Sequence, residues 1–271
     1  MNVVAVRRSV RYSPNSEEND RLILQAVADL LLQRGHRIEI VLEDCLQDSD
    51  CLRVSHDLWL SMGRMPSTLR LLKEKEQRGE VVLNSPYGVE SCARSHLEAV
   101  MRSNSVAMPP TEGCCGWWVK RGDAAAQDAA DVVFCPTTAD VAVARRAFDN
   151  RGITDVVVSA HVEGDLVKFY GVEGTGFFHT MYPTSVGRSK FGAEEVNGMP
   201  NYYTYDRALL QEEAERLSRL VHTPIYGGDC IIDSHGHIHI IDFNDWPSFS
   251  PCRAEAADAI VELAMMKTDS Q

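Results

Sequence analysis

The 271-residue sequence has no uninterrupted apolar run of the eighteen or so residues that a membrane-spanning helix needs. Its first residues, MNVVAVRRSVRYS, also lack the apolar core of a secretion signal, so the expectation is a cytoplasmic protein without a membrane partner. No CxxC pair occurs among the eight cysteines, Cys45, Cys51, Cys92, Cys114, Cys115, Cys135, Cys230 and Cys252, which argues against a disulfide framework and reads as small, partly buried hydrophobes. Internal repeats and low-complexity segments are missing too, which excludes solenoids and disordered tails. Positive charge is scarce: 27 Lys and Arg stand against 39 Asp and Glu, a formal net charge of −12. Such a chain repels polyanions, so nucleic acid is not an expected partner, and any anionic ligand has to be held by a local cluster of cations.

What is present is an ordinary globular mixture, 44% hydrophobic and 24% charged, long enough for two modest domains or one large α/β unit. The apolar run at residues 2–6 and the alternation in HRIEIVLED read as strands on either side of a helical pattern, LILQAVADLLLQRG, that Gly35 would cap. This β-loop-α-β opening begins an open, largely parallel sheet. A second helix is expected in PSTLRLLKEKEQRGE, a strand in VVLN, and a further helix from Val89 to Arg102. The extended segment SVAMPPT marks a boundary near residue 108.

Beyond it, WWVKR and DVVFC read as strands and ADVAVARRAFDNRG as a helix. VVVSAHVEGDLVKFYGV forms two strand-like halves meeting at residues 161–165. Residues 184–204 carry neither period and read as a long loop. RALLQEEAERLSRLVH is a helix, YGGDCIID and IHIIDFN are the arms of a hairpin, and a loop and helix follow.

That hairpin is the most informative feature. A four-residue turn at residues 234–237 sets Asp229 opposite Asp242 on one face, and the two-residue strand period adds Asn244 to it. Two carboxylates and an amide oxygen suit a hard cation, Mg²⁺ (or Mn²⁺), carrying nucleotide phosphates. Taken alone, the trio reads equally as strand-end residues on a solvated face. Lys120 and Lys168 interrupt apolar strands; each alone would ordinarily snorkel to the surface, but together with the carboxylates they provide the cations that a polyphosphate needs. His235, His237 and His239 alternate, yet the first two fall in the turn, so they read as an exposed hairpin tip rather than a metal site.

VVLNSPYGVESCARSHLEAV before SVAMPPT, then WWVKRGD, VVVSAHVEGDLVKFYGV, GGDCIID and IHIIDFNDWP follow one another in the order seen in the ATP-grasp family, which the chain resembles over most of its length. The resemblance implies a mixed α/β and α+β protein: an N-terminal open parallel-sheet α/β domain over 1–108, followed by a two-subdomain ATP-grasp fold over 109–163 and 164–271. It implies ATP and Mg²⁺ as cofactors and a small-molecule or peptide-like carboxylate as substrate, and it leaves a homodimer open. By the same resemblance, Arg94 and Lys120 take the places of two phosphate-binding lysines. Backbone groups of Ala160, His161 and Val162 would hold adenine, Glu163 or Asp165 the ribose, and Lys168 the phosphates. Asp229, Asp242 and Asn244 match the metal ligands.

Three departures accompany it. The glycine-rich flap is reduced to residues 122–127, Asp242 replaces a longer glutamate, and Gly227 stands where many ligases carry an arginine. Arg253 and Arg188 are the candidates to replace that arginine, and Tyr12 and residues 61–64 are candidate substrate contacts. The implied reaction is ligation through an acyl phosphate. Phosphorylation of a small-molecule hydroxyl, or nucleotide binding without turnover, are the alternatives.

Overall fold

The computed structural model describes residues 1–13, 16–123, 129–183, 196 and 198–270. Arg188, most of the 184–204 loop and residues 124–127 of the short flap lie outside the described residues.

The first sheet is parallel, ordered β2-β1-β3-β4, with β1 at Asn2–Arg7, β2 at Arg37–Leu42, β3 at Leu58–Ser61 and β4 at Val81–Leu83. Helices α1 (Glu17–Gln33) and α2 (Pro66–Gln77) connect its strands, and α2 starts on a proline, whose fixed φ and missing N–H suit a first helical turn. The short, unpatterned SHDLWLSMGR segment holds β3, whose four residues are all buried.

The single helix expected from Val89 to Arg102 is two, α3 (Pro86–Ser91) and α4 (Arg94–Ser103), with Ala93 extended between them. The interruption has a physical purchase: the Ser95 N–H, one of the unpaired donors of a new helix, bonds the Gly122 carbonyl at 3.0 Å. The restart places Arg94 at the first position of α4, beside the next sheet.

That second sheet, ordered β6-β5-β7, comprises β5 (Trp117–Arg121), β6 (Val132–Cys135) and β7 (Val156–Ala160), backed by α5 (Thr138–Asn150), which opens on a capping box between Thr137 and Asp140. The third sheet is antiparallel, ordered β11-β10-β8-β9, from β8 (Asp165–Val172), β9 (Phe178–Met181), β10 (Ile225–Ile232) and β11 (Ile238–Asp245). β9 is a four-residue edge strand too short to show alternation in sequence. α6 (Arg207–Leu220) and α4 cover the outer face of this sheet, where Val167, Phe169, Cys230 and Phe243 form a core with Leu97, Leu210 and Leu217.

The last helix, α7 (Arg253–Asp269), returns to the beginning of the chain. Ile260, Val261 and Leu263 share one core with Ile23, Val27 and Leu60. Its apolar residues are spread around the helix rather than gathered on one stripe, as expected for a helix packed on more than one side. A second tie joins the first and third sheets: the buried Asn84 amide donates to the Ile225 carbonyl at 2.7 Å and accepts its N–H at 2.9 Å. Among the described residues, no helix is long and apolar enough to cross a membrane, and all eight cysteines are free thiols.

Candidate active site

A cavity of about 350 Å³ lies where the second and third sheets face each other, closed at one end by residues of the first. Strand alternation supplies its wall. Leu166, Lys168 and Tyr170 of β8 point inward, as do Gly227, Asp229 and Ile231 of β10 and Asp242 and Asn244 of β11, while the residues between them fill the core behind. Trp118 and Lys120 of β5 reach in from the opposite sheet, and Arg94 comes from the start of α4.

Asp229 does pair with Asp242, although the turn differs from the expected one. His237 closes the turn by pairing with Asp233, leaving a three-residue loop with Gly236 at φ +81°. A regular ladder from that turn would put Asp229 opposite residue 241. Ile241 is instead a bulge, an extra residue without a partner, and it restores Asp242 to Asp229. The bulge also turns the Ile241 carbonyl toward the cleft, where it accepts from Lys120 Nζ at 3.2 Å.

The charges interlock. Lys168, directly across from Asp229 on β8, contacts both of its oxygens at 3.0 and 3.3 Å. Arg94 donates to the Arg121 carbonyl at 2.7 Å and lies 3.8 Å from Asp242. Asn244 Nδ2 donates to Asp242 at 3.2 Å. Burial, then the neighbouring Arg94 charge, lowers the Lys120 ammonium to about 8. Burial acts on Asp242 in the opposite sense, but Arg94 and Lys120 outweigh it and hold the carboxyl below its ordinary range, so it is ionised at neutral pH.

At the far end, the segment of Ala160, His161 and Val162 forms the edge of the cavity. The Ala160 and His161 N–H groups are already bonded to the carbonyls of Pro110 and Gly116, each at 2.8 Å, whereas the Val162 N–H has no partner among the described residues. Trp118 Nε1 donates to His161 Nδ1 at 3.1 Å. Burial lowers the pKa of this ring, consistent with a neutral imidazole accepting at Nδ1.

Three sequence candidates stand elsewhere. Asp165 is buried and accepts the backbone N–H groups of Asn201 and Tyr203 at 2.6 and 2.7 Å, so it anchors that segment instead of lining the cavity. Glu163 is exposed, outside the cavity wall. Arg253 begins α7, donates to Asn19 of α1 at 3.0 Å and is not among the residues that line the cavity.

The sequence reading did not single out Arg8, which the structure pairs with Arg64 around the buried Asp245. Arg8 donates to Asp20 at 3.0 Å, to the Met62 carbonyl at 3.0 Å and to the Trp246 carbonyl at 2.9 Å, and lies 3.5 Å from Asp245. Arg64 contacts Asp245 at 2.5 Å. Glu43 fixes both loops by accepting the N–H groups of Ser9 and Met65 at 3.0 and 2.5 Å. A signal for these arginines was available: each follows the C-terminal end of one of two paired parallel strands, β1 and β3, the end at which open α/β sheets bind ligands. A Cβ at Gly227 would lie 2.8 Å from Pro247 Cγ, so a side chain there would require the Pro247 loop to shift. In all, Arg8, Arg64, Arg94, Lys120 and Lys168 face Asp20, Asp229, Asp242 and Asp245 in the cavity, a local cationic excess in a chain of net charge −12.

No protein-family model and no curated protein matches this chain. Solved structures do. D-alanyl-alanine synthetase A from Vibrio cholerae aligns over 100% of this chain and 99% of its own with a TM-score of 0.70 at 13% identity. D-alanine–D-alanine ligase from Bacillus anthracis, complexed with ATP, aligns over 100% and 99% with a TM-score of 0.69 at 9% identity. The ATP-grasp ligase PsnB, complexed with a phosphomimetic variant of a minimal precursor, Mg and ADP, covers 98% of each chain at a TM-score of 0.62 and 12% identity. The fold is that of the ATP-grasp ligases. At these identities the likeness is one of fold, and the chemistry has to be argued from the cavity.

Proposed function

We propose that this protein is an ATP- and Mg²⁺-dependent ligase that joins a carboxylate to an amine or another nucleophile. The observation that carries the reading is the convergence of Arg94, Lys120 and Lys168 with Asp229, Asp242 and Asn244 in one cavity of an ATP-grasp fold. The donor set fits a hard cation: two carboxylates lie directly across from each other, and Asn244 spends its NH₂ on Asp242, which leaves its Oδ1 for a metal. Mg²⁺ held there by Asp229, Asp242 and Asn244 would neutralise charge on the phosphates. On this reading residues 1–108 form the N-terminal domain, and 109–163 and 164–271 the two halves of the clasp.

The protein's own part is positioning and charge neutralisation. Arg94 and Lys120 grip the phosphate chain from the side of α4 and β5, Lys168 from β8, and the Ala160 carbonyl and Val162 N–H meet the adenine edge. A substrate carboxylate oxygen attacks the γ-phosphorus, the bond to the bridging oxygen of ADP breaks, and an acyl phosphate results. The nucleophile then attacks the acyl carbon, inorganic phosphate leaves, and the amine proton passes to solvent. Arg64, rather than Arg253, stands in for the arginine absent at 227. It lines the same cavity beyond the metal ligands, and its Asp245 partner holds its guanidinium in place.

The test is calorimetric titration with a non-hydrolysable ATP analogue, with and without Mg²⁺, followed by phosphate release over a panel of paired carboxylates and amines. Phosphate released only when both co-substrates are present supports the ligase. A stable phosphorylated product would make the protein a kinase, and absence of nucleotide binding would overturn both readings.

A further inference from the structure

The tip of the β10–β11 hairpin carries a second constellation, separate from the cleft. Asp233 lies four residues beyond Asp229, about 13 Å along the strand at the usual rise. Its Oδ1 accepts the N–H groups of His235 and His237 at 2.8 and 3.0 Å, so the carboxylate is clamped by the turn it closes. The other oxygen, Oδ2, faces outward to His237 Nδ1 at 3.0 Å and His239 Nε2 at 3.5 Å. That His239 nitrogen is buried and makes no hydrogen bond. The His235 and His237 rings stack with centroids 5.8 Å apart, and ligand atoms of Asp233, His235 and His237 all fall within 4.8 Å of one another.

We propose that Asp233, His235 and His237, with His239 completing the set, form a binding site for a divalent transition metal ion of the zinc, nickel or copper class. Tetrahedral coordination with bonds of about 2.0–2.1 Å spaces ligand atoms about 3.3 Å apart. The distances from Asp233 Oδ2 to His237 Nδ1 and His239 Nε2 bracket that value, and the His235 ring, whose ligand atom lies within 4.8 Å of those of Asp233 and His237, has to close in. Imidazole with a single carboxylate selects borderline metals, whereas Mg²⁺ prefers oxygen. The two amide bonds to Asp233 Oδ1 serve as an outer shell, holding the carboxylate with Oδ2 toward the ion. His237 is largely exposed, which leaves an entry path from solvent.

Asp233 is the residue that changes the reading of this tip. Three alternating histidines at an exposed turn need no metal, but a carboxylate fixed by its own turn and aimed at two of them does need a cation or protons between them. A bound ion would rigidify a tip on which other chain rests: Gly236 packs against the Thr204 carbonyl, and a Cβ there would come within 2.5 Å of it.

The experiment is zinc titration of the full, untagged chain without nucleotide, read by calorimetry and by the histidine ring NMR resonances. One equivalent of Zn²⁺ is expected to bind and to shift His235, His237 and His239, with no such shift on adding Mg²⁺. His235→Ala with His237→Ala should weaken binding by about tenfold or more. Asp242→Asn, which alters the cleft, and Cys114→Ser with Cys115→Ser, which removes the exposed thiols, should leave it intact. Equal zinc affinity in the double histidine variant, or no zinc bound by the parent at about 100 μM, overturns the proposal. Melting temperatures of metal-free parent and variant establish that the comparison is between folded proteins.

Discussion

Lys120 Nζ and the Ile241 carbonyl meet at 3.2 Å across the cleft, joining a strand of the second sheet to the bulge of the third. A backbone carbonyl holds an ammonium by its partial charge alone and leaves two of its three protons for a ligand. The contact therefore holds Lys120 near Asp242 and Asp229 without neutralising it.

Because burial and Arg94 bring Lys120 down to about 8, its charge is lost in a range where ATP phosphates stay ionised. Bound phosphate favours the ammonium and raises the pKa again. Nucleotide affinity should thus be complete below about pH 8 and decline as pH rises through the pKa of the complex, with proton uptake on binding between the two values. Calorimetry in buffers of different ionisation enthalpy measures that uptake. Lys120→Met should bind more weakly below the pKa of the complex, approach the parent above it, and show no uptake in this range.

Deleting Ile241 isolates the bulge. The ladder from the turn would then run without interruption, still placing the carboxylate of Asp242 opposite Asp229 and its neighbours in the core, but without the carbonyl that holds Lys120. The deletion variant is expected to fold and to keep Mg²⁺-dependent binding, with nucleotide affinity reduced about tenfold, the effect of losing one charge-assisted bond of 1.5 kcal/mol or so. Unfolding of the variant, or unchanged affinity, would show that the extra residue serves another purpose.

Asp242→Asn should act with opposite sign in the presence and absence of metal. With Mg²⁺ a ligand is lost and nucleotide affinity falls. Without Mg²⁺, Arg94, 3.8 Å away, is relieved of a competing anion, and free ATP binds more tightly than to the parent. Paired titrations with excess Mg²⁺ and with EDTA give the crossing directly.

Arg64→Ala is expected to lower turnover far more than nucleotide affinity, because the side chain reaches the part of the cavity beyond the metal ligands. Arg253→Ala, whose side chain is bonded to Asn19, should leave turnover close to that of the parent. The kcat of each variant, once the acceptor panel has given a substrate, separates the two arginines.

Asn84→Ala removes the acceptor of the buried Ile225 N–H, while the Ile225 carbonyl keeps the Trp246 N–H at 2.9 Å. The unsatisfied donor costs about 1–3 kcal/mol, and a loss of that size in urea unfolding is expected. A smaller change would mean that water replaces the amide.

The parts of the site legible in sequence are those that depend on local period. Alternation along β8, β10 and β11 is enough to align Lys168, Asp229, Asp242 and Asn244, and the turn and the bulge offset each other, so Asp229 met Asp242 although the expected turn was one residue too long. Arg64 falls within the candidate substrate contacts 61–64, but its pairing with Asp245, 181 residues away, and the place of Arg8, whose partner Met62 is 54 residues away, depend on distant contacts. Asp165 and Arg253 lie outside the cavity wall. Asp165 accepts the amide groups at 201 and 203, and Arg253 is bonded to Asn19 of α1. The break between α3 and α4 depends on a carbonyl at Gly122, which no pattern within 86–103 contains.

The return of α7 to the first sheet, together with the Asn84–Ile225 tie, makes the N-terminal and C-terminal parts of the chain one mechanical body. Opening of the cleft cannot then be a separation of its two ends. The small sheet of β5, β6 and β7 is joined to α4 at Gly122, whose carbonyl accepts from Ser95 and whose N–H donates to Asp155. Because the Arg121 carbonyl that holds Arg94 and the Lys120 ammonium both belong to β5, any displacement of that sheet would carry the anchors of both cations together.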